Sequence, residues 1–391
     1  MQKMPPRLLI ATFFLVIGIV FLSVITTGWI PTWGFLKIPS VEPPFLDMRT
    51  VQWAPATRLA GLDPQLTSVG DPLKRAMNYP ILWEHISRLL NLQNENIFLA
   101  FELILVGLYL LASFFILLKT RSWWFLVCVF SGASLFAIER GNNDLLVFVC
   151  LFLAGLYLSP FFFSTSILFL FNLKIYPVFA ATPILKWKRA ILPLGALLLL
   201  NLVLIWDQLW KIKSHTPLST GLSYGASGFT WDLMWLTGKG ISSYVVRGVL
   251  LAIGFLLFFM AFSKNLFRVK CRSDQTRTWF LMGSGVFLST FLLSSNFDYR
   301  LIMMLLCVPY LLCLEISLVR TLALIVLLLA LNFPMLSVFL GHKGILINLL
   351  AKAILFCIVQ AIFLQEVLNL TIVKHVNNSV KSVVKNLLGA C

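Results

Sequence analysis

An all-α polytopic membrane protein is the fold class this sequence predicts, and three observations predict it. Hydrophobic residues make up 59% of the 391 and charged residues only 12%, where a soluble domain carries about 25% charged. Mean hydropathy is +0.92. The apolar residues gather into runs that approach or exceed the roughly 17 to 20 residues with which a helix crosses a hydrocarbon core while satisfying its own backbone. The alternating pattern of a membrane barrel, with about ten residues per strand, is absent.

Taken in order, the runs predict about ten full spans: 8–26, 98–118, 122–138, 145–160, 190–206, 244–262, 279–295, 301–317, 321–338 and 345–364. The first begins just after Arg7 and lacks a small-residue cleavage site, so it reads as a retained span. The chain divides into a membrane domain over 1–365 and an amphipathic, cytoplasmic C-terminal tail over 366–391, with apolar residues on one face and lysines on the other. Cys128, Cys150, Cys307, Cys313 and Cys357 lie inside apolar runs without metal-ligand spacing and read as small core hydrophobes.

The net charge of +16 comes from Lys and Arg placed mainly in short connections. That pattern marks topology signals and lipid headgroup contacts rather than a nucleic-acid surface. Placing the basic connections in the cytoplasm puts both termini there and puts 27–97, 139–144, 207–243, 296–300 and 339–344 on the far side. The span 145–160 then ends inside, and Lys186 is inside too, so 161–185 crosses an even number of times. Twenty-five residues are too few for two full crossings. A re-entrant hairpin follows, with "NLKIYP", Asn172 to Pro177, at its tip.

Four polar clusters meet on that far face: Asp47 with Arg49, Glu139 to Asp144, Lys174 with Tyr176, and "NFDYR" at Asn296 to Arg300. Charges at span ends are an ordinary interfacial feature. Four mixed acid-and-base clusters on one side, against plain Lys and Arg on the other, are less ordinary, because ionisable groups at membrane depth are costly. The long first loop, 27–97, adds a helical pattern behind Pro80 that suits a helix lying on the membrane surface. Carboxylates supply a base, and Lys and Arg clamp an anion such as phosphate. A membrane enzyme acting on a lipid phosphate uses that combination. Asp63 and Asp71 precede prolines in turn-like steps and read as structural.

Other chemistries lack their residues. "TGKGIS" at Thr237 to Ser242 has no preceding glycine loop, and neither HExxH, GxSxG nor a zinc-spaced cysteine pair occurs. No metal or cofactor is expected. "GSG" at Gly283 to Gly285 reads as a helix-packing site. His85, His215 and His342 fall outside the spans and read as surface or structural residues.

The series "FLDMRTVQWA…LAGLDP", "NYPILW", "ERGNNDLL", "NLKIYPVF" and "NFDYRLI" resembles the C-type membrane glycosyltransferases, in particular family 87, over about residues 40–310. The resemblance implies a multi-helix bundle with a large first extracytoplasmic loop bearing interfacial helices. It implies transfer of a sugar, mannose or another hexose or pentose, from a polyprenyl-phosphate donor to a lipid or glycan acceptor at the extracytoplasmic face. In that scheme Asp47 is the general base of an inverting reaction, while Arg140, Lys174 and Arg300 bind the donor phosphate. Glu139, Asn143, Asp144, Tyr176, Asn78, Tyr79 and Asp298 support or contact substrate. The chain departs from the commoner pattern with "ERGNND" and "DPQ", which leaves sugar and acceptor open. A transporter or flippase of lipid-linked glycans and a non-catalytic assembly subunit are the alternatives.

Overall fold

The computed structural model describes residues 4–215, 222–264, 266–270, 273–293 and 296–388, with the side chains of 334–335 and 371–388 outside the description. The chain is an all-α, multi-pass membrane protein, 78% helical. Strand is confined, among the described residues, to the antiparallel pairing of Ser223–Tyr224 with Asn296–Phe297.

Among the described residues, five helices are long and apolar enough to cross a membrane: Pro6–Thr27, Glu95–Thr120, Trp123–Arg140, Ser243–Lys264 and His342–Leu370. Lys188–Leu204 and Trp206–His215, bent by 67°, make a sixth if taken as one span. Asp144–Tyr157, Pro160–Leu173 and Ser317–Leu331 are shorter apolar helices. The expected span 301–317 is not an α-helix. It is a 3-10 segment, Asp298–Leu306, followed by one α turn, Val308–Leu311. Residues 301–311 are buried on every side, so their apolarity carries no period to separate the helix types, and Pro309 supplies no amide for a continuing ladder.

The segment 161–185 folds back on itself. Helix Pro160–Leu173 descends to an extended Lys174, and a 3-10 segment, Tyr176–Lys186, returns beside it. With 14 and 11 residues the arms rise about 21 and 22 Å, short of a core about 30 Å thick.

Both 3-10 segments lean on one buried helix, Asp274–Leu293. Its two glycines permit the contact. A Cβ on Gly283 would lie 2.5 Å from the carbonyl oxygen of Met303, and one on Gly285 would press still closer on that of Phe179. The GSG expectation therefore holds, and the partners are 3-10 backbones. Trp279 fixes the same helix to the bundle by donating to the Phe152 carbonyl at 3.0 Å.

The loop 27–97 is ordered into short helices, among them Leu46–Gln52 and Leu82–Leu89. Trp83, wholly buried, donates to the carbonyl of Leu173 at 3.0 Å, so the loop is fastened to the tip of the folded-back segment. Trp206, Trp210, Trp231, Trp235 and Tyr244 are exposed, residue types that settle at a membrane–water interface. The C-terminal helix runs unbroken from His342 to Leu388 across the expected boundary at 366. The amphipathic face expected for the tail falls mainly on side chains outside the description.

Candidate active site

Asp144 opens the helix Asp144–Tyr157, and three groups from two other segments close on its carboxylate. Lys174 and the Tyr176 hydroxyl both donate to Oδ1, and the Arg300 Nε lies 3.4 Å from Oδ2. Lys174 also donates to the side-chain oxygens of Asn142, at 3.0 Å, and Asn143. Arg300 stacks 4.2 Å over the Tyr176 ring, and Lys174 lies 5.3 Å from the ring centre of Tyr79. Two cations thus share one carboxylate. Their buried ring-lined setting is the kind in which such interactions gain strength.

Asn142 carries the network onward. Its amide nitrogen donates to Asp47 Oδ2 at 2.7 Å while its oxygen accepts from Lys174 and from the Asp144 amide. Asp47 sits in the first turn of Leu46–Gln52. Its other oxygen lies 3.4 Å from Arg75, which is clamped by two hydrogen bonds to Asp71, at 2.8 and 3.1 Å, and by the carbonyl of Leu46. Burial opposes the charge of Arg75, yet Asp71 and Asp47 hold its pKa above the ordinary value. The Tyr79 phenol is pushed well above its usual range by burial, with Asp47 and Asp144 adding to the effect. The Asp47 side chain keeps 15% of its surface open, whereas that of Asp144 keeps none. Of the two acids, Asp47 is therefore the one a substrate can reach.

The local backbone explains the "ERGNND" string. Gly141 ends the helix Gly132–Arg140 in the left-handed region at φ 56°. A Cβ there would lie 2.5 Å from a Glu102 carboxylate oxygen and 2.6 Å from the Cβ of Phe45, so glycine alone fits. The turn then aims Asn142, Asn143 and Asp144 at Lys174.

Asp47, Asn143, Asp144, Lys174, Tyr176, Tyr79 and Arg300 are therefore brought together as the sequence predicts. Arg140 is placed differently. Its Nε lies 3.0 Å from Glu139, whose other oxygen accepts the Val41 amide at 3.2 Å, and its guanidinium lies 5.1 Å from the Phe136 ring. That pair forms an adjoining wall, joined to the rest through the Phe136–Tyr299 ring contact. Asp144 and Asn143 face Lys174 rather than open space, and Asp298 turns away to Lys352. Asn78 is half-buried, with no side-chain hydrogen bond among the described residues. Arg49, paired in sequence with Asp47, instead holds Glu95 and Gln52.

Sequence reasoning missed Arg75 and Glu102 as members of this region, and gave Asn142, inside the Glu139 to Asp144 cluster, no role of its own. Glu102, an acid inside an apolar run, was the readable signal. Asp63 and Asp71 have the structural roles expected: Asp63 caps a turn through the Gln65 amide and meets Lys211 at 3.1 Å, and Asp71 holds Leu73 and Arg75. A cleft of about 420 Å³ is walled by Pro80, Ile81, Leu82, His85, Leu168 and Phe169; it adjoins the network through Pro80, the chain neighbour of Tyr79, and no side chain of the network lines it. Among the described residues no group of three or more His, Cys, Asp or Glu side chains is placed to hold a metal ion. Compared with family models, with curated proteins and with solved structures, the chain matches none.

Proposed function

We propose that the protein is a glycosyltransferase that moves a sugar from a polyprenyl-phosphate donor to a lipid or glycan acceptor at the extracytoplasmic face of a cell membrane. The observation that carries this reading is the Asn142 side chain, which touches the accessible acid Asp47 with one end and the buried cation Lys174 with the other. A base for the acceptor and positive charge for a leaving phosphate are thereby one residue apart. Lys174 and Arg300 converge on Asp144 from two segments, and a phosphate that takes up their N–H groups gains charge-assisted hydrogen bonds.

In the proposed step Asp47 takes the proton of an acceptor hydroxyl as its oxygen attacks the anomeric carbon. The bond from that carbon to the phosphate oxygen breaks on the opposite face, which inverts the configuration. Lys174 and Arg300 stabilise the charge that develops on the departing lipid phosphate, a contribution of about 3 to 4 kcal/mol per donor in comparable sites. The apolar cleft beside Tyr79 suits the first isoprene units of the donor. About ten spans, counting the 3-10 segments as membrane-embedded, with both termini cytoplasmic, complete the reading.

The test is Asp47→Asn in membranes supplied with labelled polyprenyl-phosphate sugar. Removal of a general base lowers transfer by about 10² to 10⁴-fold. Undiminished transfer would remove Asp47 from the mechanism. Donor lost from one leaflet and recovered intact in the other would favour a flippase.

A further inference from the structure

We infer that Lys352, in the C-terminal helix, is a positioning residue for Arg300. The helix carrying it lies beyond the stretch whose motifs point to the site, and its ammonium is buried. It donates to the carbonyl of Ser223 at 3.1 Å and to Asp298 Oδ2 at 2.9 Å, with Asp298 Oδ1 at 2.7 Å. Those two partners belong to the two strands' strap: Ser223 pairs with Phe297, and Tyr224 with Asn296, while the Asp298 amide donates to the Leu222 carbonyl at 2.9 Å.

The strap ends at the working group. Arg300 follows Asp298 by two residues in the same 3-10 turn, donates to the Asn296 side chain and lies against Asp144. One ammonium therefore ties both strands to the C-terminal helix within a turn of the Arg300 guanidinium. Phe333, 5.0 Å from the ammonium, and the neighbouring acid Asp232 complete its surroundings. A long flexible arginine side chain loses affinity for an anion when its backbone is free to shift. Lys352 supplies that restraint, and Asp298 is its anchor rather than a substrate contact.

The kinetic part of this inference rests on the proposed sugar transfer, so the test has a second readout that does not. Lys352→Gln, Lys352→Met and the double variant Lys352→Met/Asp298→Asn are compared with wild type. Donor KM and kcat, melting temperature and hydrogen exchange of the peptide holding 296–300 are measured on detergent-purified full-length protein. Lys352→Met leaves Asp298 buried and uncompensated, so its melting temperature falls. The double variant removes both charges and recovers most of that loss. If Lys352 positions Arg300, the double variant still exchanges faster at 296–300 and shows donor KM raised about 10-fold. Lys352→Gln, which keeps a donor to both partners, falls between. A double variant with wild-type exchange and wild-type KM overturns the inference and leaves the pair a stabilising contact only. If the wild type transfers no polyprenyl-phosphate sugar, the functional reading fails while the exchange comparison still decides the role of Lys352.

Discussion

Two buried charge clusters lie at opposite ends of the bundle, and they are built on different plans. Toward one end Arg277 meets Glu366: the guanidinium donates to the Glu366 carbonyl at 2.9 Å and packs on its carboxylate. At the other, Lys174, Arg300 and Tyr176 all press on Asp144, and Asn142 hands the contact on to Asp47. The first cluster packs two helices together, with Lys186 beside it holding Asp274 and Thr278. The second joins four segments distant in sequence, draws two cations and a phenol onto one carboxylate, and includes a second acid that keeps part of its surface open. Burial of charge alone does not distinguish a strut from a site. Convergence of several segments and access do.

Substitutions can break or sharpen that contrast, and the largest effect is expected at Lys174. Lys174→Met takes away the ammonium that the proposed mechanism sets against the leaving phosphate, and lowers transfer by about 10² to 10³-fold. It also leaves Asp144 with Arg300 as its one cation beside the Tyr176 hydroxyl, so melting temperature and kcat should fall together. Arg277→Met comes next and tests the other plan. It removes the guanidinium packed on the buried Glu366 carboxylate and costs up to about 3 to 5 kcal/mol of stability, read by denaturation, yet kcat per folded molecule stays at the wild-type value. A drop in kcat there would erase the distinction between the clusters.

Gly285→Ala acts on the support between them. The added methyl meets the Phe179 carbonyl, and overpacking of this kind costs about 1 to 3 kcal/mol. The shift passes to Tyr176, so donor KM rises along with the loss in melting temperature. The smallest effect belongs to Asp63, which is itself partly exposed, as is its partner Lys211. Partial burial works to raise its pKa, but the Gln65 amide and Lys211 outweigh it and hold the value below the ordinary one. A group depressed on folding contributes stability above the unfolded value, about pH 4, and loses it as pH falls through the lower folded value. A melting-temperature profile of Asp63→Asn should therefore match wild type at the acid extreme and differ slightly from it above pH 4.

Much of the site was readable because charge in an apolar chain is conspicuous. Positive-inside sidedness gathered Asp47, Asp144, Lys174, Tyr176 and Arg300 on one face, and these do meet. Asn142 was read as part of the Glu139 to Asp144 cluster but given no role of its own, because neighbouring Asn142 and Asn143 cannot be told apart until their partners are in place. Lys352 was hidden differently. It lies inside an apolar run read as a plain span, where a single cation passes as a snorkelling residue unless its partner is known. Asp298 was assigned to substrate for the same reason, since its partner lies 54 residues away. The 3-10 segment Asp298–Leu306 was unreadable because full burial erases the period that separates one helix type from another.

The glycine pair on Asp274–Leu293 has a mechanical consequence. Tyr176 and Arg300, which grip Asp144 from different parts of the chain, begin arms seated on the same helix two residues apart. Both seats lie on one element, so the spacing of the grip is referenced to a single helix, and any displacement of that helix reaches both arms together.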